Sequence, residues 1–185
     1  MGIGLDPERP MPIEEIYLRL LLYFADKEPI IWINKSRRMM ATWLFSARLL
    51  YKACFYYGSA NFIISRNKEE ADQLIEERIK FIYDNIPKKY KHLHPRAIKT
   101  KALMRFPEMR SYIRGMPAGP GKIRGKTGSN VFWDEIGAQD KILETWEALR
   151  YVIKGGGHIV GVTTPEDNDF KKLFYGLREE QGDNQ

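Results

Sequence analysis

Cysteine is nearly absent, with Cys54 the single one among 185 residues. One cysteine excludes an internal disulfide, and its apolar neighbours (KACFYY) mark a buried thiol. That usage fits a reducing, intracellular compartment. Long apolar runs are missing as well. Arg19, Arg48 and Lys52 interrupt the best candidates before any reaches bilayer-spanning length, and no stretch has the form of a signal peptide. Histidine is scarce. His92 and His94 make a His-x-His pair, but no cysteine or third histidine lies near, so the pair predicts a solvated loop rather than a metal site. There is no internal repeat and no coiled-coil heptad. Acidic residues are in deficit: 30 Lys and Arg face 24 Asp and Glu, for a net charge of +6 and a pI near 9.3. That balance favours a polyanionic partner such as nucleic acid or nucleotide. What is present is a core. Hydrophobic content of 43% and aromatic content of 12% exclude a disordered chain, and the length suits one α/β domain.

The stretch from Pro29 to Leu50, PIIWINKSRRMMATWLFSARLL, organises the rest. Its pattern predicts a buried strand (Ile30 to Ile33), a tight basic turn (Asn34 to Ala41) and a helix from Thr42. Strand, loop and helix are the frame of a phosphate-binding P-loop, usually Gly-x-x-x-x-Gly-Lys-[Ser/Thr]. With its last position on Thr42, Lys35 takes the first glycine, Met40 the second and Ala41 the lysine. Only Thr42 fits. The loop still ends on a helix N-terminus, which attracts anions, and its positive charge has moved to Lys35, Arg37 and Arg38. A plain basic turn before a core helix is the competing interpretation.

Before this stretch, Met1 to Pro12 is expected to be a loose arm. Ile13 to Ala25 has helical spacing, with Ile16, Leu20, Tyr23 and Phe24 on one face. After it, Gly58 stops the helix. Asn61 to Ser65 is a strand, and Lys68 to Tyr83 a helix packing Ala71, Leu74, Ile75, Ile79 and Ile82 on a sheet. Ile86 to Pro95 is a loop, and Leu103 to Phe106 and Ser111 to Arg114 are short strands. Gly115 to Ser129 is a glycine-rich loop. Its Gly125-Lys126-Thr127 imitates a P-loop. Pro120 stands where the first glycine belongs, however, and a strand rather than a helix follows.

Asn130 to Glu135 is a buried strand ending in two carboxylates. Such a tip is costly unless used or solvated, and ligands bind at the carboxyl ends of open α/β sheets. Asp134 suits Mg²⁺ held through its water shell. Glu135, directed the other way, suits polarising an attacking water. This is a Walker B pattern with an added glutamate; an ordinary acidic turn is the alternative. Lys141 to Lys154 is an amphipathic helix. His158 to Val162 is a further buried strand, and it runs into Thr163-Thr164-Pro165. A threonine pair at such a tip can sense a γ-phosphate, or can be a simple strand-to-turn junction. A helix over Phe170 to Glu179 and a polar tail close the chain. Helices between the strands allow right-handed crossovers and a parallel sheet.

With KSRRMMAT, an Arg-Gly shortly before NVFWDE, VFWDE itself and VGVTTPEDNDFKKLFY, the chain resembles the ATPase domain of a tailed-phage large terminase, over roughly Ile30 to Tyr175. The resemblance implies an α/β P-loop NTPase of the ASCE or RecA-like kind, a three-layer sandwich on a mainly parallel sheet. It implies ATP and Mg²⁺ as cofactors and hydrolysis that drives double-stranded DNA into the procapsid. Implied partners are DNA, the portal protein and the small terminase subunit, without a membrane. The motor is a homo-oligomeric ring when assembled, its isolated domain a monomer, and the setting is the host cytoplasm. The phosphate loop is then Lys35, Ser36, Arg37, Arg38, Met39, Met40, Ala41 and Thr42. Thr42 and Asp134 ligate Mg²⁺, and Lys35 replaces the lysine missing at Ala41. Arg37 or Arg38 contacts the γ-phosphate in cis, and Glu135 is the catalytic base. Arg124 matches an arginine that reaches a neighbouring subunit's ATP. Thr163 and Thr164 match a motif coupling hydrolysis to DNA movement.

The expected organisation is an N-terminal arm and helix over 1–28, the ATPase core over 29–179 and a tail over 180–185. That tail leads toward a nuclease domain the chain would not contain, so no nuclease activity is expected. Two other functions compete: a helicase-like P-loop ATPase, and a basic nucleic-acid-binding module with a degenerate nucleotide site.

Overall fold

The computed structural model describes residues 16–36, 39–123 and 128–164. The expected N-terminal arm, the last helix and the tail lie outside them, as do Arg37, Arg38, Arg124 and the Lys126 imitation. Helix α1 (Ile16–Lys27) leads into strand β1 (Ile30–Asn34), helix α2 (Ala41–Phe55) and strand β2 (Ala60–Ser65). Helix α3 (Lys68–Leu74) continues through a π-helical segment (Ile75–Lys80) into α4 (Phe81–Asp84). A 3₁₀ turn (Lys88–Leu93) precedes strands β3 (Ile98–Thr100), β4 (Leu103–Phe106) and β5 (Ser111–Pro117). A short helix α5 (Pro120–Ile123), β6 (Asn130–Trp133), a 3₁₀ turn (Ile136–Ala138), α6 (Ile142–Lys154) and β7 (His158–Thr163) complete the described chain.

The strands form one sheet in the order β1-β7-β6-β2-β5-β4-β3. Every pairing from β1 to β5 is parallel, and β4 runs against both of its neighbours. The mainly parallel sheet expected from the alternation of strands and helices is therefore present. Strand composition explains the layering. A sheet covered on both faces has strands that are apolar throughout, and alternate residues of β2, β6 and β7 go to opposite faces. Ile63, Phe132 and Val160 pack with Leu44, Phe45 and Leu49 of α2 and with Ile75 and Ile79. Phe62, Ile64, Val131, Trp133 and Ile159 pack with Ile142, Trp146 and Leu149 of α6. Helix, sheet, helix is the three-layer result.

Local signals set the ends. Asn67 caps α3, its side chain accepting from Glu70 N at 2.8 Å, and Glu69 and Glu70 suit the positive end of the dipole. At the far end of α2, Gly58 takes φ +71°.

Helix α1 corrects one expectation. Ile16, Leu20, Tyr23 and Phe24 do share a face, but all four are exposed, while Leu18 and Ala25 are buried. Tyr17, Leu21 and Leu22 pack beside them. The helix is apolar nearly all round, so periodicity alone does not choose its inner face. The choice follows from its tether to α2: Arg48 Nη2 donates to Ala25 O at 2.6 Å and to Asp26 Oδ1 at 2.9 Å, with Lys52 3.0 Å from the same carboxylate. Two further corrections concern loops. The Ile86–Pro95 segment holds the 3₁₀ turn, and β3, a short exposed strand, has no apolar alternation to announce it.

Candidate active site at the carboxyl edge of the sheet

In a parallel sheet, ligands bind beyond the carboxyl ends of the strands. There β1, β7 and β6 stand side by side, and they deliver three of the segments singled out by the sequence.

The loop after β1 begins at Lys35, whose backbone N–H donates to Thr163 O at 3.0 Å. Tyr17 Oη of α1 donates to Met39 O at 3.4 Å from the other side. Met40 sits at φ 55°, ψ 12°. This left-handed region costs glycine nothing and strains other residues, so the methionine keeps the backbone form that suits a glycine. Ala41, where the regular pattern has lysine, is 1% exposed. A lysine there would have to take its charge out of water. The irregular loop thus has a physical reason to carry its cations elsewhere, and Lys35 is near enough to pull the Asp134 carboxyl downward.

Asp134 is buried at the tip of β6. Thr42 Oγ1, in the first turn of α2, donates to its two carboxylate oxygens at 3.2 and 3.3 Å. Burial, with the Glu135 charge adding to it, pushes the carboxyl up to about 7, against the opposing pull of Thr42 and Lys35. A carboxylate so raised is short of positive charge. Mg²⁺ keeps several waters and takes one or two protein oxygens, so the Thr42 hydroxyl and the Asp134 carboxylate fit that ion. Among the described residues no three His, Cys, Asp or Glu side chains gather into a fuller metal cage.

Glu135 is half-buried, with φ 48° and ψ 49°. Its neighbours hold that strained turn. Gln139, itself buried, donates from Nε2 to Asp134 O at 2.6 Å and accepts from Trp133 Nε1 at 2.6 Å. Thr163 Oγ1 accepts from Gly137 N at 2.9 Å and donates to Thr164 O at 2.9 Å. Thr163 is therefore bonded to both the loop after β1 and the turn after β6.

The structure brings Lys35, Thr42, Asp134, Glu135 and Thr163 to one edge. Residues 32–182 match the family model described as terminase large subunit, T4likevirus-type, N-terminal. The chain belongs to the terminase large-subunit family. Terminase structures share its fold. The HK97 bacteriophage large terminase is 14% identical with a TM-score of 0.66, over 90% of this chain and 35% of that one. The Thermus phage P74-26 large terminase ATPase domain is 17% identical with a TM-score of 0.58, over 76% and 61%. The large terminase of the thermophilic bacteriophage D6E is 13% identical with a TM-score of 0.57, over 80% and 38%. The chain thus spans about a third of the length of the HK97 protein. A search of curated proteins finds no match.

Two residues beside Asp134 belong to none of the sequence motifs. Gln139 lies in an unpatterned turn, and nothing local marks its role. Arg78 lies on the helical stripe of Ala71, Ile75, Ile79 and Ile82, and a charge on an apolar stripe was a usable signal.

Proposed function

We propose that this chain is the ATP-hydrolysing motor domain of a phage large terminase, driving double-stranded DNA into a procapsid. The observation that carries the reading is the hydrogen-bonded pair of Thr42 and Asp134 across the sheet edge. One strand, β7, separates β1 from β6, so the hydroxyl and the carboxylate approach only because a helix N-terminus turns over that gap. A phosphate-bound cation belongs between such groups. Family membership and terminase-like architecture support the same reading.

In this reading Lys35 and the backbone from Ser36 to Ala41 face the nucleotide phosphates, with Arg37 or Arg38 on the terminal one. Bound Mg²⁺ would neutralise charge on the phosphate oxygens. Thr42 and Asp134 are oriented for it by their mutual hydrogen bond and by Gln139. Glu135 orients and deprotonates the attacking water, with its backbone fixed by the turn that Gln139 and Thr163 hold. Arg124 is assigned to the ATP of a neighbouring subunit, where an arginine stabilises charge spreading over the transferring phosphoryl group. Thr163 and Thr164 carry the change at the phosphate to the rest of the domain. The partners are DNA, the portal and the small subunit, in a ring within the host cytoplasm. No helix of the described residues is long and apolar enough to cross a membrane.

Glu135→Gln tests the assignment. The amide cannot take a proton from water, so nucleotide binding should persist while hydrolysis stops. Hydrolysis at the parent rate, in an assay where the parent is active, would show that Glu135 is not the base.

A further inference from the structure

The π-helical segment Ile75–Lys80, between α3 and α4, carries Arg78. π-Helical turns occur in few helices and recur at functional sites, because the extra residue re-aims the side chains around it. Here Arg78 packs its guanidinium over the Trp43 ring, with Cζ 4.6 Å from the centroid. Trp43 follows Thr42 directly, and Thr42 holds Asp134. Phe81 packs edge-on against the same indole, with ring centroids 5.8 Å apart.

Arg78 is poorly satisfied where it lies. Its side chain is 19% exposed, and its carboxylate contact is a single long one, Nη1 to Glu77 Oε2 at 3.5 Å. Nη1 also donates weakly to Glu77 O at 3.4 Å. Its Nε is buried and has no hydrogen-bond partner among the described residues, and the same holds for Trp43 Nε1. A guanidinium carries five N–H donors in a planar fork that matches phosphate oxygens. Two buried donors without acceptors, on adjoining side chains beside a hydroxyl–carboxylate pair, are costly unless an acceptor arrives. Burial holds the Arg78 guanidinium below its ordinary value, against the Glu77 and Asp134 charges, which favour its charged form.

We infer that Arg78 is a cation of the phosphate site that reads the terminal phosphate of a bound nucleoside triphosphate, with Trp43 as the platform that holds it until the ligand enters. This rests on the nucleotide reading above and adds a residue from a different element. Stacking on an indole leaves the edge of the guanidinium free for hydrogen bonds. Such a residue distinguishes triphosphate from diphosphate.

The test titrates fluorescent ATP and ADP analogues into the chain and into Arg78→Met and Arg78→Lys. Methionine keeps length and contact with Trp43 while removing charge and donors. ATP affinity of Arg78→Met should fall roughly ten- to hundredfold, the range of a charged hydrogen bond, with ADP affinity nearly unchanged. Arg78→Lys should recover part of the loss, because it keeps the charge and loses the fork. Equal losses for ATP and ADP would assign Arg78 to packing and overturn the inference. So would a parent-like preference in Arg78→Met, and in both cases nucleotide binding by the parent would leave the ATPase reading standing. A parent chain that binds neither nucleotide would overturn that reading and this inference together.

Discussion

Gln139→Ala should weaken the domain far more than an amide-to-methyl change in a turn would ordinarily do. Gln139 is 6% exposed and spans two buried groups, the Trp133 indole N–H and the Asp134 carbonyl. Truncation removes both hydrogen bonds at once and offers no replacement. Trp133 is fully buried, so water cannot reach its Nε1 without opening the core formed by α6. An orphaned buried donor or acceptor costs about 1–3 kcal/mol, so the pair should cost roughly 2–6 kcal/mol. For a chain of this size that corresponds to a fall in Tm of roughly 4–24 °C. Chemical denaturation should show the same loss as a lower midpoint at unchanged slope. Function should change in a particular way. Nucleotide affinity without magnesium should hold, because the hydrogen bonds of Gln139 go to Trp133 and Asp134 and, among the described residues, to none of the phosphate loop. The tightening that magnesium brings should shrink, because the backbone of Asp134 is no longer fixed. A loss under about 0.5 kcal/mol, the range of an ordinary surface substitution, would refute the clamp, and so would intact magnesium-dependent tightening.

Gly161→Ala should destabilise by about 1–3 kcal/mol or more in equilibrium unfolding: a Cβ there would meet the Trp32 ring and, at 2.6 Å, Ile136 Cδ1, and Trp32 is wedged against Trp133 and Trp146; wild-type stability would show that this cluster yields. Burial pushes the Cys54 thiol up to about 12, so at pH 8 a thiol reagent should modify it only as the domain unfolds, and rapid reaction in native buffer would contradict its placement. His94 is held below the usual histidine value by burial, with its ring against Phe55 and Tyr83. The unfolded chain therefore takes up the proton first as pH falls, so the stability His94 contributes above about pH 6.5 is lost below it. Denaturation midpoints between pH 7 and 5 should fall less steeply in His94→Phe, and parallel curves would remove His94 as the cause.

The sheet and its layers were legible because the middles of β2, β6 and β7 are apolar on both faces and the helices between them have period 3.6. β3 was not, since an exposed edge strand of three residues carries no alternation. The inner face of α1 was not either, since the evidence for it sits on Arg48 of another helix. At the sheet edge, Thr42, Asp134 and Glu135 were legible because a hydroxyl in the first turn of a helix after a strand fits the last P-loop position, and adjacent carboxylates at a buried strand tip are costly unless used or solvated. Gln139 was not, because a clamp is defined by what it bridges. Met40 and Ala41 departed from the P-loop pattern in sequence, but the left-handed turn at one and the burial of the other restore the pattern's backbone logic.

The position of Thr163 has a mechanical consequence. Its carbonyl holds Lys35 and its hydroxyl holds Gly137, so one residue is tied to the loop on either side of it. A shift of either loop strains a single hydrogen bond, worth about 0.5–1.5 kcal/mol, which is only one to a few times thermal energy. If the proposed ATPase function holds, a joint that weak can open and reform in every turnover without dissipating much of what hydrolysis releases. A stiff joint, such as a buried ion pair, would lock the two loops into one body and leave β7 nothing to report. In the proposed function, such a threonine would be a latch light enough to be tripped by a phosphate.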